Sequence, residues 1–143
     1  MNSKDLKIIA EGLIDTFKEA GNESINIEKQ GVKVKTKSDG SPVTNGDLRV
    51  NEILTQKIKN LTPNIPIISE ETVDLKKENT YKTFWLIDPI DGTKEYIAGK
   101  DEYTLNAGLI IDEQPALGLI GVPKKNRIFY SFGTNKSMML ENN

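Results

Sequence analysis

Residues 84–96, FWLIDPIDGTKEY, run from an apolar stretch into two aspartates three apart, with Pro89 and Gly92 among them. Pro89 biases Asp88 toward extended backbone, and so toward the C-terminal end of a buried strand. Gly92 permits the sharp reversal from which a short helix, roughly TKEYIA, begins near Thr93. Asp88, the Ile90 carbonyl and Asp91 can then converge on one point as three hard oxygen ligands, a set suited to a cation such as Mg2+. The amides of Gly92 and Thr93 face the same point and favour an anion such as phosphate. A plainer reading also fits this stretch taken alone: Asp91 or Thr93 caps the helix, and Asp88 sits in an Asx turn.

Three further groups bear on the choice. Ser69-Glu70-Glu71 ends a short apolar run, and adjacent carboxylates on a strand point in different directions, so one can face inward while the other is solvated. Glu70 can reach the same point as Asp88 if the two strands run the same way; a surface acidic pair is the alternative. Thr44-x-x-Asp47 matches a capping box, a role compatible with a metal role if the capped helix end faces the site. Lys33, Lys35 and Lys37 read either as a solvated strand face or as a patch that steers phosphate.

The absences narrow the chemistry. The chain of 143 residues has no Cys and no His. That removes disulfides, thiol nucleophiles and the Ser-His-Asp triad, and makes zinc sites of the usual kind improbable. There is no Walker A loop and no GxGxxG fingerprint. A formal net charge of −2 and a pI near 5.3 argue against nucleic-acid binding through a basic surface. No apolar run has the length of a membrane span, and the N-terminus lacks a signal-peptide pattern, so a cytoplasmic location is expected.

These groups must be positioned by ordinary elements. Leu6, Ile9, Ala10, Leu13, Phe17 and Ala20 share one face of a helix over residues 3–20, with Ser3 as N-cap and Gly21 as stop. Residues 24–37 alternate weakly about Gly31 and read as a short hairpin, followed by KSDGSPVTNGD as a loop. A second helix starts near Thr44 or Asn45, buries Val50, Ile53, Leu54, Ile58 and Leu61, and ends before Pro63. IPIIS, residues 65–69, is strand-like; a polar connection containing DLKKEN leads to a buried strand from Phe84 to Ile87, with Phe84 and Trp85 in the core. EYTLNAGLIID, PALGLIGV, RIFYSF and KSMML then follow with breaks short enough for antiparallel hairpins. The expected fold is α+β, two N-terminal helices packed on a mainly antiparallel sheet, in one domain over residues 1–143. The chain stops soon after its last apolar run, which leaves an open sheet edge and an uncovered sheet face; both need a partner or a further layer.

Taken in order, SPVTNGD, Ser69-Glu70-Glu71 and Trp85-Leu86-Ile87-Asp88-Pro89-Ile90-Asp91-Gly92-Thr93 resemble the motifs of the inositol monophosphatase superfamily of Mg2+-dependent, lithium-sensitive phosphatases. The continuation Lys94-Glu95-Tyr96 resembles the 3'(2'),5'-bisphosphate nucleotidase branch, from whose pattern Ala98 departs. The resemblance implies that Glu70, Asp88, the Ile90 carbonyl and Asp91 hold Mg2+, with two or three ions in a complete enzyme. It implies that Glu70 and Thr93 orient and activate the attacking water and that Asp47 assists a further metal. Asp91, Gly92 and Thr93 would meet the scissile phosphate, and Lys37 stands where these enzymes often carry a lysine. The implied substrate is a small phosphorylated molecule, adenosine 3',5'-bisphosphate or a relative, cut to AMP and phosphate.

Family members continue into a second α/β layer with a Trp-Asp motif that completes the site; the chain resembles the N-terminal half of their layered α/β/α/β/α fold. That departure motivates a second function, a non-catalytic metal-binding or interaction module, as a homo-oligomer or with a complementary C-terminal half; a third keeps the phosphatase chemistry and changes the substrate to an inositol or sugar phosphate. Lys94-Glu95 argues against the last.

Overall fold

The computed structural model describes residues 1–71, 81–133 and 137–141. DLKKEN lies outside the described residues. Helix α1 spans Ser3–Gln30, and its cap lies one residue earlier than expected: the Asn2 side chain accepts from the Asp5 amide, and the Asp5 carboxylate accepts from the Asn2 amide. It does not stop at Gly21. The helix runs on because its last turns are anchored from outside: the hydroxyl of Tyr96 donates to the Ser24 carbonyl at 2.7 Å, and the Ser24 and Tyr103 hydroxyls pair at 2.9 Å. Gly21 serves contact instead, since a Cβ there would meet Pro123 at 3.4 Å. The stop is Gly31, whose φ of 110° disfavours any other residue.

The hairpin expected over residues 24–37 is therefore displaced. Strand β1, Val34–Thr36, pairs antiparallel with β2, Pro42–Thr44, so the segment KSDGSPVTNGD contains a strand and a helix start as well as a turn. Of the three lysines only Lys35 lies within β1. Helix α2, Asn45–Leu61, follows directly, capped by Thr44 and ending before Pro63 as its sequence predicts.

The main sheet contains β3 (Ile67–Ser69), β4 (Phe84–Asp91), β5 (Thr104–Ile111), β6 (Gln114–Val122), β7 (Arg127–Phe132) and β8 (Ser137–Glu141) in that spatial order. The β3–β4 pair is parallel and the remaining four pairs are antiparallel. A single helical turn, α3 (Thr93–Ile97), leaves the end of β4. Helices α1 and α2 cover one face of the sheet, and Leu13, Phe17, Leu54, Ile58, Trp85, Ile87, Leu105, Leu109 and Leu119 form the core between them. This is the α+β layer expected from the pattern of elements. None of the described helices is long and apolar enough to cross a membrane.

Among the described residues nothing covers the opposite face. Leu86, Ile120, Phe129 and Met139 lie 41–51% exposed on it. Between them the register sets Gly108, Gly118, Ser131 and Ser137 side by side, a row of small residues flooring a groove of about 850 Å3. Phe84, expected in the core, shares this outer face with Leu86 and is only partly buried, because strand alternation allots the inner face to Trp85 and Ile87.

Trp85 is fully buried, and its indole N–H donates to the Thr62 hydroxyl at 2.9 Å. Thr62→Val keeps the shape and removes the acceptor, so the stranded N–H should cost about 1–3 kcal/mol. Urea unfolding measures this; an unchanged midpoint would show that the bond carries no net stability.

Candidate metal and phosphate site

Because β3 and β4 run parallel, their C-terminal ends emerge on one edge of the sheet. The Glu70 amide extends the pairing by donating to the Ile87 carbonyl at 3.1 Å, which sets Glu70 beside Asp88. Ser69, at the end of β3, is fixed to α2 by a hydrogen bond from its hydroxyl to the Asn51 side chain. The N-terminus of α2 closes on the same place. Asp47 is fully buried: one carboxylate oxygen accepts from the Thr44 amide at 2.8 Å and from the Thr44 hydroxyl, and the other accepts from the Thr93 hydroxyl at 3.0 Å. The capping role and a position at the site thus hold together for Asp47, through its two different oxygens. The Thr93 hydroxyl also lies 3.3 Å from the Ile90 carbonyl.

Gly92 turns the chain between Asp91 and Thr93 in the left-handed region, φ 93°. A Cβ at Gly92 would stand 2.8 Å from the Glu102 carbonyl, so both the angle and the space demand glycine. Helix α3 has five residues. An anion here would be met by individual amides more than by a macrodipole.

The electrostatics of Asp88 are distinctive. One of its carboxylate oxygens is buried and has no hydrogen-bond partner among the described residues. Burial, then the nearby charges of Glu70, Asp91, Asp47 and Glu71, push its carboxyl up to about 7. No cationic side chain among the described residues pairs with Asp88, and an oxygen-only donor set fits a hard divalent cation. Among the described residues no three acidic side chains stand together in metal-holding geometry. Mutual repulsion of uncompensated carboxylates opposes such closeness.

The glutamate pair divides with Glu70 exposed and the side chain of Glu71 only 4% exposed. Glu71 takes the Lys37 ammonium at 3.2 Å, and burial still raises its carboxyl against that favourable charge. Lys37 lines an open depression beside Glu70 with its charge directed to Glu71. Lys37, Asp47, Glu70, Asp88, Ile90, Asp91, Gly92 and Thr93 therefore all lie around the C-terminal ends of β3 and β4. Two contributors had no role in the sequence reading. Glu71 was visible only as half of an acidic pair; Gly46, which lies against Tyr96 beneath Thr93, carried no signal beyond a small residue in a helix start.

Fold and site together define a carboxylate-lined cluster, with oxygen donors of the kind hard cations take, at one end of a helix-covered mixed sheet. Residues 3–142 match the inositol monophosphatase family, and the chain belongs to that family. It is 36% identical over 133 residues to the 3'(2'),5'-bisphosphate nucleotidase CysQ of Aggregatibacter actinomycetemcomitans, covering 90% of this chain and 49% of that protein. It is also 36% identical over 113 residues to CysQ of Haemophilus influenzae, covering 76% and 42%. The crystal structure of CysQ from Bacteroides thetaiotaomicron superposes with a TM-score of 0.73 at 31% identity, over 93% of this chain and 49% of that one. A staphylococcal inositol monophosphatase soaked in LiCl gives 0.82 at 18% identity, over 94% and 51%, a likeness of fold. The chain spans about half the length of the relatives it matches.

Proposed function

We infer that this chain is the N-terminal, metal-binding portion of a Mg2+-dependent phosphomonoesterase that converts adenosine 3',5'-bisphosphate or a close relative to AMP and phosphate. The observation that carries the reading is the Asp88 carboxylate, one oxygen of which is buried without a partner among the described residues, set among Glu70, Asp91 and the Asp47–Thr93 pair. The similarity to bisphosphate nucleotidases supports the substrate class.

Glu70, Asp88, Asp91 and the Ile90 carbonyl would hold the cation. Bound there, Mg2+ supplies Lewis-acid activation of water and of the phosphoryl group. Thr93 donates its only hydroxyl proton toward Asp47, which leaves its oxygen free to accept a hydrogen bond from the attacking water. Glu70, exposed beside Asp88, accepts from that water on a second side, and the Gly92 and Thr93 amides donate to the phosphate. Lys37 contributes positive charge at the rim while held by Glu71.

The test is inorganic phosphate release from adenosine 3',5'-bisphosphate by the full-length gene product in Mg2+. Asp91→Asn is expected to lose at least ~100-fold in kcat/KM with its circular dichroism unchanged. No phosphate release by the unsubstituted protein would sink the substrate assignment, and faster release from inositol 1-phosphate would move it to that class. A second reading rests on the sheet face that the described residues leave uncovered: the chain acts as a non-catalytic module that pairs with a complementary half or a second copy. A stable monomer of the 143-residue chain that turns over substrate would dispose of it.

A further inference from the structure

β4 and β5 pair residue for residue from Phe84↔Ile110 to Asp88↔Asn106, and there the register slips, the next pair being Asp91↔Thr104. Three steps along β4 oppose two along β5, which is the geometry of a bulge. The slip falls within Asp88-Pro89-Ile90-Asp91, the segment that brings the carboxylates and the Ile90 carbonyl to the site. Pro89 has no N–H to give to the neighbouring strand, so backbone pairing alone cannot close the gap.

A side chain supplies donors at this point. The Asn106 amide nitrogen lies 3.0 Å from the Thr104 hydroxyl, 3.2 Å from the Thr104 carbonyl and 3.5 Å from the Asp88 carbonyl. The last distance is at the limit of a hydrogen bond. As the cross-strand partner of Asp88, Asn106 shares its face of the sheet. It is partly buried in a strand otherwise apolar from Leu105 to Ile111, where an amide is costly unless its hydrogens are used.

We propose that Asn106 is a positioning residue for the cation site: its amide bridges β4 and β5 at the slip and keeps Asp88 aimed into the carboxylate cluster. The inference rests on the metal-site reading above. It is tested by calorimetric titration of Mn2+ into the full-length gene product and its Asn106→Ala, Asn106→Leu, Asn106→Ser and Ile120→Ala variants. Ala and Leu remove the donor, Leu at nearly the original volume; Ser restores one donor. Ile120 is the partner of Asn106 on β6, is 44% exposed, and controls for general weakening of the sheet.

Asn106→Ala and Asn106→Leu are expected to bind Mn2+ about 10-fold or more weakly, in line with other residues that orient metal ligands. Asn106→Ser should recover part of the loss, and Ile120→Ala should bind as the unsubstituted protein does while melting lower. Full affinity in a folded donor-free variant, Ser no better than Ala, or an equal loss in Ile120→Ala would overturn the role of Asn106 alone. Absence of Mn2+ binding by the unsubstituted protein would overturn the cation site itself, and with it this role. If Asn106→Ala does not fold, Asn106→Leu decides.

Discussion

Asp88→Asn is expected to weaken divalent-cation binding severely and, in metal-free buffer above pH 7, to raise the melting temperature. The carboxyl of Asp88 titrates at about 7 in the folded chain against an ordinary value of 3.8, chiefly through burial and then through Glu70 and Asp91. Between those two pH values the folded state holds a proton that the unfolded state has released. Stability therefore falls as pH rises from about 4 to about 7 and levels off above, where folding must accommodate an ionised Asp88. Asparagine has the same shape and no charge, so the variant escapes that cost and its amide can donate to the neighbouring carboxylates.

A bound cation removes the same cost in the native sequence by favouring the ionised form. Mg2+ should accordingly raise the melting temperature of the unsubstituted protein, more at pH 8 than at pH 5.5, and leave Asp88→Asn unmoved. The metal affinity of the variant should fall by at least ~100-fold. Thermal melts at both pH values, with and without Mg2+, decide the matter. A variant that keeps the Mg2+-dependent rise, or melts below the native sequence at pH 8 without metal, would show that Asp88 is not a cation ligand destabilised by its own charge.

Gly46→Ala should destabilise the protein although it changes a single hydrogen to a methyl group. A Cβ at Gly46 would lie 2.5 Å from the Tyr96 hydroxyl oxygen and 2.6–2.7 Å from its ring carbons. Tyr96 cannot yield easily: it is fully buried, its hydroxyl donates to the Ser24 carbonyl, and its ring meets Tyr103 edge-on with centroids 4.9 Å apart. Helix propensity works the other way, since alanine gains up to about 1 kcal/mol over glycine within a helix. Overpacking of a rigid, bonded ring costs about 1–3 kcal/mol or more, so destabilisation prevails.

The displacement also reaches the site, because Gly46 precedes Asp47 and Tyr96 sits one turn after Thr93, the two ends of the 3.0 Å bond between α2 and α3. Urea unfolding of Gly46→Ala, Tyr96→Leu and the double variant separates the causes. In the Tyr96→Leu background the alanine should cost little, a coupling that independent sites do not show. Equal losses in both backgrounds would place the effect elsewhere.

The order of elements could be read in advance because it rests on local periodicity. The apolar positions of α2, the alternation of β5–β8 and the short breaks between them leave few other arrangements. DPIDGT could be read for the same reason: proline and glycine restrict the backbone wherever they stand. Where a local rule met a long-range contact, the contact prevailed. Gly21 looked like a helix stop, but hydrogen bonds from Tyr96 and Tyr103, more than 70 residues away, hold the helix through Ser24 and beyond.

The site divides along the same line. Residue types and spacing offered Glu70, Asp88 and Asp91 as oxygen donors beside plainer roles, and the family resemblance added a role for the Thr93 hydroxyl. Folding alone settled which glutamate is buried, because Lys37 reaches Glu71 across 34 residues, and it alone joined Thr93 to Asp47 across 46. The raised carboxyl of Asp88 and the amide of Asn106 at the strand slip likewise arise from neighbours distant in the chain. Local geometry is written into neighbouring residues; charge, burial and hydrogen-bond partners depend on what the fold brings alongside them.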